Sequence, residues 1–130
     1  MTTELTLLAW TVVLALVQIC IAAAFRSQET GMTYNMGARD AAAPPMRPVT
    51  ARLYRAQANL FETLPLFAAL VLIAHVAGRD SAMTLLGCQL YLGARVLYVP
   101  LYAAGIAVVR SLAWGVAVAG LVMLLMAVLR

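Results

Sequence analysis

The sequence predicts an all-α membrane protein, a single bundle of four transmembrane helices. Three observations predict it. Of 130 residues, 65% are hydrophobic and only 11% charged, and the mean hydropathy is +0.94, a balance outside the range of soluble domains. The apolar residues fall into four runs of about 20, the length a helix needs to cross hydrocarbon. The charges stand mostly at the ends of those runs or in one loop.

The first span covers about residues 5–25, interrupted only by Thr6, Thr11, Gln18 and Cys20, and Arg26 closes it. It is not read as a cleaved leader, despite Ala22-Ala23-Ala24: the preceding residues carry only Glu4, with no basic cluster, and the apolar run is too long. A long loop, residues 26–54, follows. Gly31, Gly37, Pro44, Pro45 and Pro48 argue against helix over most of it. Helix resumes near Val49 or Thr50, with Thr50 the expected N-cap.

The second span covers about residues 55–77 and contains Pro65, which removes a backbone hydrogen bond and favours a kink that membrane helices tolerate. Gly78-Arg79-Asp80-Ser81 reads as a tight turn. The third span, about residues 82–106, carries Arg95 near its middle, with Tyr91, Tyr98, Tyr102 and Pro100. Residues 107–110 form a short connection, and the fourth span covers about residues 111–129. There is no internal repeat, and the whole chain reads as one domain.

All nine basic residues are arginine, and the formal net charge is +4. Spread over span ends, one loop and one span interior, they form no solvated basic face, so nucleic acid is not an expected partner. Arg26, Arg39, Arg47 and Arg52 lie in the long loop, Arg55 borders it, and Arg110 is on the same side; the other side has Arg79 and Arg130. The positive-inside rule therefore places the long loop in the cytoplasm and both termini opposite, in the inner or plasma membrane if the host is a bacterium. Cys20 and Cys88 sit at depths differing by roughly 10 Å or more at helical rise, too far for a disulfide. Both read as apolar core residues. His75, toward the far end of the second span, reads as interfacial. It has no metal-ligand companions at the required spacing, so no metal is expected, and no nucleophile triad or phosphate loop is present.

Function concentrates where polarity enters the membrane. Arg55, Asn59 and Glu62 stand at i, i+4, i+7 and share a helix face. Arg95, Tyr98 and Tyr102 do so at i, i+3, i+7. Glu62 lies about 10 Å in from Arg55, and Arg95 roughly 16 Å in from Ile106, so the two are expected to pair, because neither belongs alone in hydrocarbon. Arg26, Arg52 and Arg110 ring the mouth. The sum is a mainly basic pocket with phenols and amides, suited to a small polyanion, since guanidinium forks grip carboxylates and phenols bind polar heads. A plainer reading of the same residues stands beside it. In that reading Glu62–Arg95 staples two helices, Tyr98 and Tyr102 are interfacial aromatics, Arg110 is a topology anchor, and Asn59 bonds a neighbouring helix.

Residues 55–67, Arg-Ala-Gln-Ala-Asn-Leu-Phe-Glu-Thr-Leu-Pro-Leu-Phe, resemble the signature of the MAPEG family, membrane-associated proteins in eicosanoid and glutathione metabolism. They are most similar to the leukotriene-synthase branch, with its pattern Arg-Ala-Gln-x-Asn-x-x-Glu-x-x-Pro. The likeness extends to Gly93-Ala94-Arg95-Val96-Leu97-Tyr98, Tyr102 and Arg110-Ser111, and to the length, the four spans and the long first loop. The resemblance implies a left-handed four-helix bundle assembled as a homotrimer in membrane lipid. It implies glutathione as cosubstrate between subunits near the cytoplasmic side, and transfer to, or reduction of, a small hydrophobic electrophile. By carry-over, Arg55, Gln57, Asn59 and Glu62 would bind glutathione, joined by Arg95, Tyr98 and Tyr102 and by Arg26 from a neighbour. Arg110 would stabilise the thiolate, with Tyr98 the second candidate catalytic residue. The chain departs from the family pattern at Ala58, at Thr63, where the branch has tyrosine, and by one residue between Tyr102 and Arg110. The family also has a non-enzymatic, lipid-binding member, so a non-catalytic membrane scaffold is the alternative. A third class, a small four-span exporter, would need a free membrane carboxylate, and the only acid well inside a span is Glu62.

Overall fold

The computed structural model describes all 130 residues. Five helices follow in order: α1 (Thr3–Thr30), α2 (Met32–Met36), α3 (Pro48–Val76), α4 (Ala82–Ala103) and α5 (Ala107–Leu129). All but α2, a short helix in the long loop, are long and apolar enough to cross a membrane. They run alternately up and down, so the long loop and the α4–α5 turn share one end of the bundle. The α3–α4 turn and both termini share the other. Only 24 residues are buried, while Trp10, Val12, Val13, Leu16 and Val17 of α1 are exposed. An outward apolar surface of this kind is what a protein bathed in lipid presents. The chain is an integral multi-pass membrane protein by these features.

The helix ends differ from the sequence expectation, each for a local reason. α1 runs on to Thr30, about 42 Å in all, so its last turn projects past a hydrocarbon layer of about 30 Å. α3 starts at Pro48 with Arg47 as N-cap, because proline at the first position has its φ already set for helix. Thr50 is therefore not the cap. It is fully buried, and its hydroxyl donates to Glu29 Oε2. Glu29 also accepts from Arg26 Nη1 at 2.9 Å, Arg47 Nε at 3.2 Å and Arg47 N at 3.4 Å, tying the end of α1 to the start of α3. Thr50 above all, with Arg26 and Arg47, holds the Glu29 carboxyl down at about 2, against partial desolvation.

α4 stops at Ala103, short of residue 106, and residues 107–110 are the first turn of α5 rather than a connection. The reversal occurs at Gly105, whose φ of 76° favours glycine. Arg52 Nη1 reaches the Ala103 carbonyl at 3.4 Å and its guanidinium lies against Gly105. Arg52 thus closes the α4 C-terminus, where unsatisfied carbonyls attract a cation, and does not ring a mouth. Arg79 does the same for α5, donating to Val128 O at 3.1 Å and to Arg130 O.

The tightest packing is between α4 and α5. A Cβ on Gly87 would stand 2.9 Å from Gly120 O, and one on Gly120 would stand 2.6 Å from Gly87 O. Small residues let membrane helices approach to backbone contact. The core beside this crossing holds Leu60, Phe67, Val71, Tyr91, Leu121 and Leu124. Phe67 stacks on Tyr91 with centroids 4.1 Å apart, and the Tyr91 hydroxyl lies 2.8 Å from Thr63 Oγ1. Cys88 belongs to this core, but Cys20 is on the exposed side of α1, and both are free thiols. At the termini's end Ser81 and Thr84 form a capping box for α4, and Thr84 Oγ1 donates to the buried Glu4 carboxylate at 2.9 Å. His75 is exposed there, 3.4 Å from Asp80.

Candidate functional site

The site lies at the loop end of the bundle, where α3, α4 and the start of α5 converge. The antiparallel register of α3 and α4 sets Asn59 beside Arg95, and Nη1 of Arg95 donates to Asn59 Oδ1 at 2.7 Å. The Arg95 guanidinium lies over the Tyr98 ring, Cζ 4.2 Å from its centroid. Tyr98 meets Tyr102 edge to face at 5.5 Å. Two more cations flank Tyr102: Arg55 Nε donates to its hydroxyl at 3.1 Å, and Arg110 Cζ lies 4.7 Å from its centroid. Three arginines thus share a two-tyrosine column. Cation–π contact is worth about 0.5–2 kcal/mol each; it holds the guanidinium planes while leaving most of their N–H donors free.

A cleft of about 270 Å³ opens beside the column, lined by Asn59, Tyr98, Tyr102, Arg110, Ser111 and Trp114. Its walls offer a cation, two phenols, an amide, a hydroxyl and one flat apolar surface. A second, wholly apolar groove lies between α3 and α5, lined by Leu66, Ala69, Leu70, Val118, Leu121, Val122 and Leu125. The two hollows lie on one line: Ser111, Trp114, Val118, Leu121 and Leu125 follow one stripe of α5 at helical spacing, and Asn59, Leu66 and Leu70 a stripe of α3.

The model of the MAPEG family matches residues 7–130. The chain belongs to the MAPEG family. No curated protein and no solved structure matches it. In this MAPEG protein six of the nine site residues expected from sequence meet within one chain: Arg55, Asn59, Arg95, Tyr98, Tyr102 and Arg110. Three do not. Glu62 is exposed on the outer side of α3, and no ion pair joins it to Arg95, whose partner is Asn59. Gln57 has its Oε1 buried without a donor, away from the cleft. Arg26 is paired with Glu29 of its own chain at 2.9 Å and lies apart from the column. Sequence reasoning missed Trp114 and the structural role of Glu29. Trp114 stands at i+4 from Arg110, the one signal that could have placed it on the same wall.

Proposed function

We propose that this MAPEG protein is a glutathione-dependent membrane transferase or peroxidase that acts on small hydrophobic electrophiles through an arginine-stabilised thiolate. The observation that carries the reading is the Arg55–Tyr102–Arg110 group beside the cleft. Glutathione presents two carboxylates, an ammonium and a thiol. Exposed Arg55 offers a fork for a carboxylate, buried Arg95 holds Asn59 and Tyr98 in the cleft wall, Tyr98 and Tyr102 offer hydroxyls, and Glu62 is the one acid near enough in sequence for the ammonium. Arg110, at the rim of the cleft beside Ser111, would stabilise the thiolate. A guanidinium lowers a thiol's pKa, and the thiolate is the nucleophile that attacks the electrophile. The adjoining apolar groove supports delivery of the acceptor from the membrane.

The reading includes a homotrimer with the site between subunits, near the cytoplasmic side. Three observations favour it. The cleft of about 270 Å³ lies at the lower edge of ligand sites, which run roughly 300–1,000 Å³, so one chain alone gives a tripeptide little enclosure. Glu62 and Arg55, both exposed on α3, would meet lipid unless another copy covers them, and intramembrane charges face protein or water. Arg26 uses only Nη1 on Glu29, which leaves donors for a ligand held by a neighbour.

A second reading, lipid binding without thiol chemistry, is favoured by the α3–α5 groove, whose seven lining residues are all apolar. Calorimetric titration of glutathione into the detergent-purified protein separates the two, with Arg55→Ala as control. Saturable binding lost in the variant supports the thiol site. No heat at millimolar glutathione with wild type would transfer the case to lipid binding or to another thiol.

A further inference from the structure

Behind the cleft wall the bundle interior holds polar groups with no protein partner. Gln18 of α1 is 4% exposed, and neither its Oε1 nor its Nε2 is hydrogen-bonded. Arg95 is 1% exposed. Beyond the bond to Asn59, its Nε and Nη2 have no acceptor. Gln57 Oε1 is buried and lacks a donor. A buried polar group left unpaired is costly, and a charged one more so. Here three helices each contribute one.

Register brings Gln57 and Arg95 each to within about one turn of the level of Gln18. α1 and α4 run parallel, and the Glu4–Thr84 bond joins positions 80 apart. The same offset carries Gln18 to the level of Tyr98, one turn from Arg95. α1 and α3 run antiparallel, and the Glu29–Thr50 bond sets Gln18 about one turn, ~5.4 Å, from the level of Gln57. Gln18 lies on the buried stripe of α1 with Glu4, Thr11, Ala15 and Ala22, which faces the other helices.

The unmatched set is mixed. Arg95 Nε and Nη2 and Gln18 Nε2 must donate; Gln18 Oε1 and Gln57 Oε1 must accept. Reversing either amide leaves Gln18 with one group of each kind. A bridging species must therefore both accept and donate, which water does and an anion does not. Buried waters make about three such bonds, to groups that otherwise have none. We propose that the junction of α1, α3 and α4 encloses an internal water site bridging Gln18, Gln57 and Arg95, and that Gln18 is through it a positioning residue for the Arg95 guanidinium. Arg95 in turn fixes Asn59 and Tyr98 in the cleft wall. The water site stands independently of ligand chemistry; only the effect on glutathione rests on the proposed function.

The site is tested by an experimental structure of the wild-type protein in lipid at a resolution that shows waters. Ordered density within hydrogen-bond reach of both Gln18 and Arg95 is expected. A dry junction, or Gln18 bonded directly to Arg95, overturns the proposal. The coupling is tested by a double-mutant cycle on thermal midpoints with Gln18→Leu and Arg95→Met, or Gln57→Leu should Arg95→Met fail to fold. Coupled groups give non-additive changes, so Gln18→Leu should lower the midpoint in wild type and barely in the second background. Equal drops in both overturn the coupling. For positioning, Gln18→Leu should weaken glutathione binding severalfold, and Gln18→Asn, a shorter amide with space for a further water, should restore most of it. Equal affinity in Gln18→Leu and wild type ends the positioning role. Failure of wild type to bind glutathione would sink the functional reading and leave the density test to decide the water site.

Discussion

Arg110 and Arg55 flank the same tyrosine yet should fail differently when removed. Arg55 holds the Tyr102 hydroxyl and stands exposed on α3, where a carboxylate would meet it, so Arg55→Ala should weaken glutathione binding by about 10–100-fold, the worth of one charge-assisted bond. Arg110→Ala should instead lower turnover roughly 10²–10³-fold, the size of losing one pre-organised donor to developing charge, with the glutathione Kd nearly unchanged. Steady-state rates with a model electrophile, beside calorimetric Kd values, separate the two; normal turnover by Arg110→Ala would remove the thiolate role. Glu29 makes a different prediction. Its folded value of about 2 lies below the ordinary 4.5, so its contribution to stability is complete above about pH 4.5 and disappears as pH falls through about 2. The thermal midpoint of wild type should fall over that window, and Glu29→Gln should start lower and lose that part of the fall. The arginines, tyrosines and asparagine of the cleft were legible because polar residues interrupt apolar runs. Their pairing was legible only in part: depth along a helix can be counted, but Glu62 is rotated about 60° from Asn59 around α3. That rotation turns Glu62 outward and gives Arg95 to the amide. The interior position of Gln57 and the column on Tyr102 depend on side-chain directions that no spacing rule supplies.

Gly87 and Gly120 set the distance between α4 and α5. Because a Cβ at either would press on the other's backbone carbonyl, Gly120→Ala should force the helices apart and cost about 1–3 kcal/mol, the range for overpacking. Reduced thermal midpoint and faster unfolding in denaturing detergent would register it, and an unchanged midpoint would show that the crossing yields without strain. A control comes from Gly115, also in α5, where an added Cβ meets nothing within 4 Å; Gly115→Ala should be neutral or slightly stabilising. The four membrane helices were legible from hydropathy and length alone. Their ends were less so, because hydropathy marks where apolar residues stop and the backbone continues while partners remain. Glu29 and Thr50 extend α1 and α3 beyond the apolar stretch, and Arg52 allows a three-residue reversal at residues 104–106 by satisfying Ala103 O.

Seen as a whole, the molecule puts the arginines of its candidate site and its long loop at one end, so sidedness and the proposed function are linked. A glutathione site must open to the compartment that holds the thiol, and the positive-inside rule, applied to the arginine asymmetry, predicts that end in the cytoplasm. If both hold, a cysteine at the exposed loop position Ala42 and one at the exposed Thr3 must behave oppositely. In a background lacking Cys20 and Cys88, Ala42→Cys should react with a membrane-impermeant maleimide only after cells are broken, and Thr3→Cys should react in intact cells. The reverse pattern would point the cleft away from the cytosol and count against glutathione while leaving the fold untouched. The same end of the molecule also ties topology to assembly. Glu62 is exposed on α3, at a depth about 10 Å inside the Arg55 level, and needs a protein or watery neighbour. Under the proposed homotrimer, light scattering with detergent mass subtracted should give three chains per particle. Glu62→Leu should keep the trimer but lose glutathione affinity, since apolar contact can replace a carboxylate at an interface but not opposite an ammonium. A wild-type monomer in mild detergent that still binds glutathione would show the site to be complete in one chain, and Glu62 would then need another explanation for its place on the outer face.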